Sequence, residues 1–159
     1  MNDLPLSFAG SCHCGAIGFV FRTRLQPTDW SVRACQCTFC RAHAARSWSD
    51  PAGKIEVVER QPSRLARYRF GQGTADFLIC NRCGVYIGTV IDTAQGRFGV
   101  INVNALRPIP PGIPEPQAMD YGGETPEQRT ARRQRRWSPV IDVAEPSHSR
   151  GERTPTDLP

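Results

Sequence analysis

The sequence predicts a mainly β domain stapled by metal at clustered cysteines, with one helix near its C-terminus. Three observations carry this. Short runs rich in β-branched and aromatic residues recur between residues 16 and 104, broken by glycine-bearing turns. All seven cysteines fall into three tight groups: Cys12-His13-Cys14, Cys35-Gln36-Cys37-Thr38-Phe39-Cys40 and Cys80-Asn81-Arg82-Cys83. One segment alone, residues 125–137, carries the start signals of a sustained helix.

In chain order, residues 16–21 (Ala-Ile-Gly-Phe-Val-Phe) read as a strand leaving the first cysteine pair. Residues 28–34 lead as a short extended piece into the central cysteines. The alanines and arginines of residues 41–48 fit two turns of helix stopped by Asp50-Pro51, with an irregular loop as the alternative. Residues 54–58 alternate as a strand with Ile55 and Val57 on one face. Residues 65–70 and 75–80 form two β-rich runs, and Gly71-Gln72-Gly73-Thr74 between them suits a hairpin. Residues 85–91 extend beyond the last cysteine pair with Val85, Ile87, Thr89 and Ile91 on one side, and residues 97–104 follow a turn.

Five prolines between residues 107 and 117 exclude helix and central strand there, so this arm lies extended on the domain. In the helix that follows, Thr125 caps, Pro126 takes the first position and Glu127 sits in the first turn. Its arginines, Arg129, Arg132, Arg133, Arg135 and Arg136, suit the C-terminal end of the dipole and are expected mostly in solvent. Trp137, Val140, Ile141 and Val143 dock this end on the body. The expected organisation is a zinc-binding domain over residues 1–122, a helix and docking segment over 123–143, and a disordered tail over 144–159.

A chain of 159 residues with 39% hydrophobic residues supports one modest core, for which metal staples would compensate. The first ten residues lack a basic start and an apolar stretch, and no segment reaches membrane-span length, so the protein is expected in the cytoplasm. Thiols stay reduced there, and seven cysteines in close clusters point to metal rather than disulfides. The net charge of +5 is concentrated only in the arginine helix, which lacks a nucleic-acid recognition motif.

Zinc bound by thiolates at about 2.3 Å needs sulfurs roughly 3.8 Å apart. Cys-x-Cys reaches that spacing in an extended segment, and Cys-x-x-Cys reaches it across a tight turn. Gly15 and Gly84 follow the two outer pairs, where positive φ is often needed. If Cys12, Cys14, Cys80 and Cys83 close on one zinc, that site is full and structural. Cys35, Cys37 and Cys40 would then hold a second zinc with one position open, the arrangement of a catalytic site. A three-thiolate zinc is a weak Lewis acid, better suited to an exchangeable substrate thiolate than to making hydroxide.

The motifs Gly10-Ser11-Cys12-His13-Cys14-Gly15, Cys35-Gln36-Cys37-Thr38-Phe39-Cys40-Arg41, Cys80-Asn81-Arg82-Cys83-Gly84 and Ile101-Asn102-Val103-Asn104-Ala105-Leu106 give the chain a family resemblance. From about Gly10 to Leu106 it resembles the glutathione-dependent formaldehyde-activating enzymes, whose domain is shared with centromere protein V. The resemblance implies a β-tent, a curved fold of several short antiparallel sheets akin to zinc-binding guanine-nucleotide-exchange chaperones. It implies a structural zinc on Cys12, Cys14, Cys80 and Cys83 and a catalytic zinc on Cys35, Cys37 and Cys40. The implied reaction is addition of glutathione to formaldehyde giving S-hydroxymethylglutathione, classed in reverse as a carbon–sulfur lyase. Two positions differ from the family's common pattern: Ala42-His43-Ala44-Ala45 where a glycine is frequent, and Arg107 where an aspartate often follows the last leucine.

Around the central motif, His43 is a candidate fourth ligand or proton carrier, and Arg41 and Arg46 are candidates for the carboxylates of a glutathione-like substrate. Arg33 is a further candidate to offset thiolate charge. Phe39, Trp48 and Tyr86 are expected mainly as core, and Asn102 and Asn104 as sheet residues or site lining. The competing readings are a non-enzymatic zinc module for protein or nucleic-acid partners and a metal-free redox role for the central thiols.

Overall fold

The computed structural model describes residues 4–141, so Val143 and the tail expected over 144–159 lie outside the described residues. The elements are β1 (Leu6–Ser11), β2 (Ile17–Thr23), β3 (Arg33–Cys35), α1 (Thr38–Ala42), β4 (Ser47–Trp48), β5 (Lys54–Glu59) and β6 (Leu65–Tyr68). They continue with β7 (Asp76–Cys80), β8 (Tyr86–Thr93), β9 (Gly96–Asn102), β10 (Gln117–Met119), α2 (Pro126–Arg136) and β11 (Ser138–Ile141). The fold is mainly β, with α2 as its one longer helix, as the sequence predicts.

The strands form an open mixed sheet in the order β1-β2-β5-β11-β9-β4-β3-β10, with β8, β7 and β6 branching from β9. Pairing is antiparallel except at β3/β10 and β5/β11. β11 joins the two halves. Ser138 and Pro139 lie antiparallel to β9, and Val140 and Ile141 lie parallel to β5. A buried polar latch holds this junction: Ser138 Oγ accepts from Asp50 N at 2.9 Å and donates to Asp50 O at 2.8 Å. The Asp50 carboxylate in turn accepts from Thr23 Oγ1 at 2.6 Å and from Ala52 N at 2.9 Å, so it is buried but hydrogen-bonded.

The main core lies under β2, β5, β8 and β9 and is centred on aromatic side chains. Trp30 and Trp48 stack at 5.3 Å, and Phe21 meets both edge-on at 6.0 and 6.3 Å. The Trp30 indole donates to Leu25 O, which satisfies the polar end of a fully buried ring.

Two local departures from the sequence expectation reposition residues near the cysteines. The first is in β8, where Ile79 pairs with Tyr86 but Leu78 pairs with Gly88, leaving Ile87 as an extra residue. This bulge reverses the alternation of faces, so Val85, Ile87, Thr89 and Ile91 do not share one side. Tyr86 and Thr89 do, and their hydroxyls are 2.6 Å apart.

The second departure is α1, which covers Thr38–Ala42 rather than residues 41–48, with Ser47–Trp48 in β4; Cys37 caps it, its Sγ accepting from Cys40 N at 3.4 Å. It ends in the left-handed conformation, with Ala44 at φ +45°. A side chain costs roughly 1–2 kcal/mol there, and glycine loses about 0.5–1 kcal/mol of that advantage in chain entropy. Ala44→Gly is therefore expected to raise Tm by about 2–5 °C in thermal unfolding, and an unchanged or lower Tm would contradict the strain.

Candidate metal centre and cavity

The outer cysteines are brought together by two matching turns. At the first, Gly15 N donates to Cys12 O and Gly15 has φ +80°; at the second, Gly84 N donates to Cys80 O and Gly84 has φ +77°. Cys12, Cys14, Cys80 and Cys83 place their four sulfurs within 4.8 Å of one another. The Cys12–Cys14 and Cys14–Cys80 separations, 3.7 and 3.6 Å, match the edge of a tetrahedral zinc–thiolate site. Ile17 N also points to Cys12 Sγ at 3.4 Å. Cys12 and Cys80 are buried, whereas His13 between the first pair is exposed.

The central cysteines form a second cluster from different elements. Cys35 ends β3, Cys37 caps α1 and Cys40 lies one helical turn further, so all three sulfurs converge within 4.8 Å. The proline arm returns to hold them in place: β10 pairs with β3 at Met119↔Cys35, and Gln36 N donates to Met119 O. Both clusters could hold a metal ion, the first closed by four thiols and the second with three. Among themselves the central thiols ionise unequally. The hydrogen bond from Cys40 holds the Cys35 thiol down to about 5, against burial and with help from Arg132. The same bond and burial push the Cys40 thiol well up.

These three cysteines form one wall of a cavity of about 210 Å³. Phe70, Thr74 and Phe77 supply a second side, and Tyr121, Arg129, Arg132 and Arg133 supply the roof. A smaller adjoining recess of about 60 Å³ shares Cys35 and Cys40 and is also lined by Arg33, Tyr86, Thr89 and Trp137. Tyr86 is fully buried, and burial, with the nearby thiols, pushes its phenol above the usual range despite the hydrogen bond to Thr89. It is thus both core, as expected, and lining.

The helix α2 turns inward the residues that the sequence reading assigns to solvent. Its capping box is complete: Gln128 N donates to Thr125 Oγ1 at 3.2 Å, and Thr125 N donates to Gln128 Oε1 at 2.9 Å. Trp137 anchors its far end among Ala75, Ile91 and Val100. Arg132 makes a bidentate pair with Glu124 at 2.8 and 2.9 Å and lies 3.7 Å over the Tyr121 ring. Arg129 donates to Tyr121 O at 2.6 Å, and Arg133 donates to Thr74 Oγ1 at 2.7 Å. Arg135 and Arg136 are the exposed members of the group.

The other sequence candidates sit elsewhere. His43 lies outside the cluster of three sulfurs, with its ring tilted against Phe39 at 4.4 Å. Arg41 is exposed and lines neither space. Arg46 donates to Asn104 Oδ1 at 2.6 Å, while Asn102 accepts from Arg46 N and donates to Tyr86 O, so this group braces the loop after α1. Arg33 donates to Ser49 Oγ, and burial lowers its affinity for its proton. Residues that the sequence reading passed over as site lining include Thr74, Phe77, Tyr121 and the inward arginines of α2.

A family model described as "Glutathione-dependent formaldehyde-activating enzyme" matches residues 7–121. The crystal structure of a Rhodobacter sphaeroides protein is similar with a TM-score of 0.54 and 27% sequence identity, covering 70% of this chain and 99% of that one. No curated protein matches the sequence. Among the described residues, no helix is long and apolar enough to cross a membrane.

Proposed function

The chain belongs to the glutathione-dependent formaldehyde-activating enzyme family, and from that premise we propose that it adds a glutathione-like thiol to a small aldehyde such as formaldehyde, or catalyses the reverse carbon–sulfur lyase reaction. The observation that carries this reading is the location of Cys35, Cys37 and Cys40 on the lining of a cavity, while the other four cysteines line neither that cavity nor its recess. The all-thiolate donor sets and the 3.6–3.7 Å sulfur edges fit zinc. Cys12, Cys14, Cys80 and Cys83 would hold a structural ion, and Cys35, Cys37 and Cys40 a reactive one. Zinc held by Cys35, Cys37 and Cys40 would supply a Lewis-acid position that favours the thiolate form of a substrate thiol.

The remaining chemistry falls to the chain. The thiol gives up its proton, its sulfur attacks the carbonyl carbon, and the carbonyl π pair moves to oxygen, which takes up a proton to give the hydroxymethyl thioether. Arg132 favours the thiolate form at Cys35 by its field, and the same field acts on a thiol held beside it. Tyr86 stays protonated at neutral pH, and its hydroxyl lies in the recess beside Cys35 and Cys40. The Tyr86 and Thr89 hydroxyls lie 2.6 Å apart and either can donate; when Thr89 donates, the phenol hydrogen is left to stabilise the developing alkoxide. The apolar faces of Phe70 and Phe77 limit water around the aldehyde.

Zinc content tests the two-site reading. The wild type is expected to bind two zincs per chain when purified without chelator, and Cys37→Ser one. Serine is a good helix cap, so this variant keeps α1 while losing a thiolate. One zinc in both proteins would remove the reactive metal from the proposal.

A further inference from the structure

Among the described residues, Arg133 is a buried guanidinium without a carboxylate beside it. It is 8% exposed, its Nε has no hydrogen-bond partner, and it forms no ion pair among the described residues. Its direct contacts are one hydroxyl, Thr74 Oγ1 at 2.7 Å, and the face of Trp137 at 4.9 Å, and Glu124 and Cys35 act on it through their field alone. Burial and the neighbouring Arg132 and Arg129 pull its proton affinity down to about 10. A buried guanidinium in this condition is costly unless a counter-charge arrives from outside the chain.

Arg129 repeats the pattern more mildly. Its Nε is buried without a hydrogen bond, because Glu124 Oε1 is 3.6 Å away and is already engaged by Arg132. The cysteine cluster does not balance the region. Three thiolates on a divalent ion carry one net negative charge, and Glu124 and Asp120 carry one each. Four guanidiniums, Arg33, Arg129, Arg132 and Arg133, line the cavity and its recess, so positive charge remains in excess with the metal in place. The helix that supplies three of these lies beyond residues 7–121, the segment matched by the family model.

We propose that Arg133 and Arg129 form a seat for a carboxylate on the thiol substrate, so that α2 selects thiols carrying an acid group a short chain away from sulfur. This rests on the thiol–aldehyde reading for the identity of the ligand, while the seat itself rests on the excess of guanidinium charge among the residues that line the cavity. Neutral thiols gain only the interaction at sulfur. Charge-assisted hydrogen bonds from two guanidiniums are expected to favour the acid by about 10- to 100-fold.

Calorimetric titration of the zinc-loaded protein with three probes tests this: 3-mercaptopropionate, 2-mercaptoethanol and 3-(methylthio)propionate, the last lacking a free thiol. The acid thiol is expected to bind at least about tenfold tighter than the neutral one. In Arg133→Gln and in Arg129→Gln that preference falls below about threefold, with the affinity for 2-mercaptoethanol unchanged. Arg129 is only half buried, so its variant decides the matter if Arg133→Gln fails to fold. Equal affinity for the two thiols in the wild type, or a preference retained in both variants, overturns the seat and leaves the thiol reading standing. If neither thiol binds, the thiol reading fails separately. Binding of 3-(methylthio)propionate that is lost in the variants then upholds the seat, and its absence overturns the seat as well.

Discussion

Cys80→Ser is expected to yield no stably folded protein, in contrast to Cys37→Ser, which keeps its fold. Cys80 is completely buried at the end of β7, where it pairs with Leu65 and meets Cys14 at 3.6 Å. Its cluster ties the turn between β1 and β2 to the turn between β7 and β8, two regions far apart in sequence. Structural zinc sites contribute about 10–16 kcal/mol of binding energy at neutral pH, against a total stability of about 5–15 kcal/mol for a typical domain. Removing one thiolate forfeits much of that energy and leaves a hydroxyl in a site built for sulfur. Far-ultraviolet circular dichroism and thermal unfolding of the purified variant provide the check. A cooperative transition within a few degrees of the wild type would show that the closed cluster does not hold the fold.

The difference between these two cysteine clusters was legible in the sequence because ligand spacing is a local property. Cys-x-Cys-Gly and Cys-x-x-Cys-Gly each specify a turn, and the observed positive φ at Gly15 and Gly84 follows from them. The same holds for the start of α2, since Thr125, Pro126 and Glu127 act within one turn. The direction that α2 faces was not legible. An arginine-rich helix has no apolar stripe, and a polar helix reads as solvated. Here the buried face is made of guanidiniums laid on Tyr121 and Trp137, a choice set by the tertiary partners.

The parallel pairing of β11 with β5 was equally hidden, because Val140 and Ile141 show that the segment is apolar but not which edge receives it. The bulge in β8 was missed for a related reason. Val85, Ile87, Thr89 and Ile91 keep an unbroken alternation in the sequence, and only the pairing with β7 shows that it is interrupted at Ile87. That interruption has a consequence for chemistry. It turns Tyr86 and Thr89 to the same side, toward Cys35 and Cys40, where a regular strand would have separated them.

Tyr86→Phe is expected to lower kcat for thiol addition to formaldehyde by about 10²-fold with KM nearly unchanged, the size of effect found when one donor to a developing oxyanion is removed. The substitution keeps the ring, which packs against Phe39 at 5.3 Å and Phe77 at 5.9 Å, and removes only the hydroxyl. Thr89 then lacks its partner at 2.6 Å, a structural cost of about 1–3 kcal/mol that would appear in Tm. Thr89→Val in the Tyr86→Phe background removes that orphaned group and is expected to restore Tm without restoring kcat, which separates stability from catalysis. His43→Ala provides the contrast, because the imidazole, though its ring is 5.7 Å from that of Tyr86, is tilted against Phe39 outside the sulfur cluster. It is expected to change kcat by less than about threefold. Steady-state kinetics on these variants decide between the two donors. A Tyr86→Phe enzyme with near wild-type kcat, or a His43→Ala enzyme losing two orders of magnitude, would transfer the proton-donating role from the phenol to the imidazole.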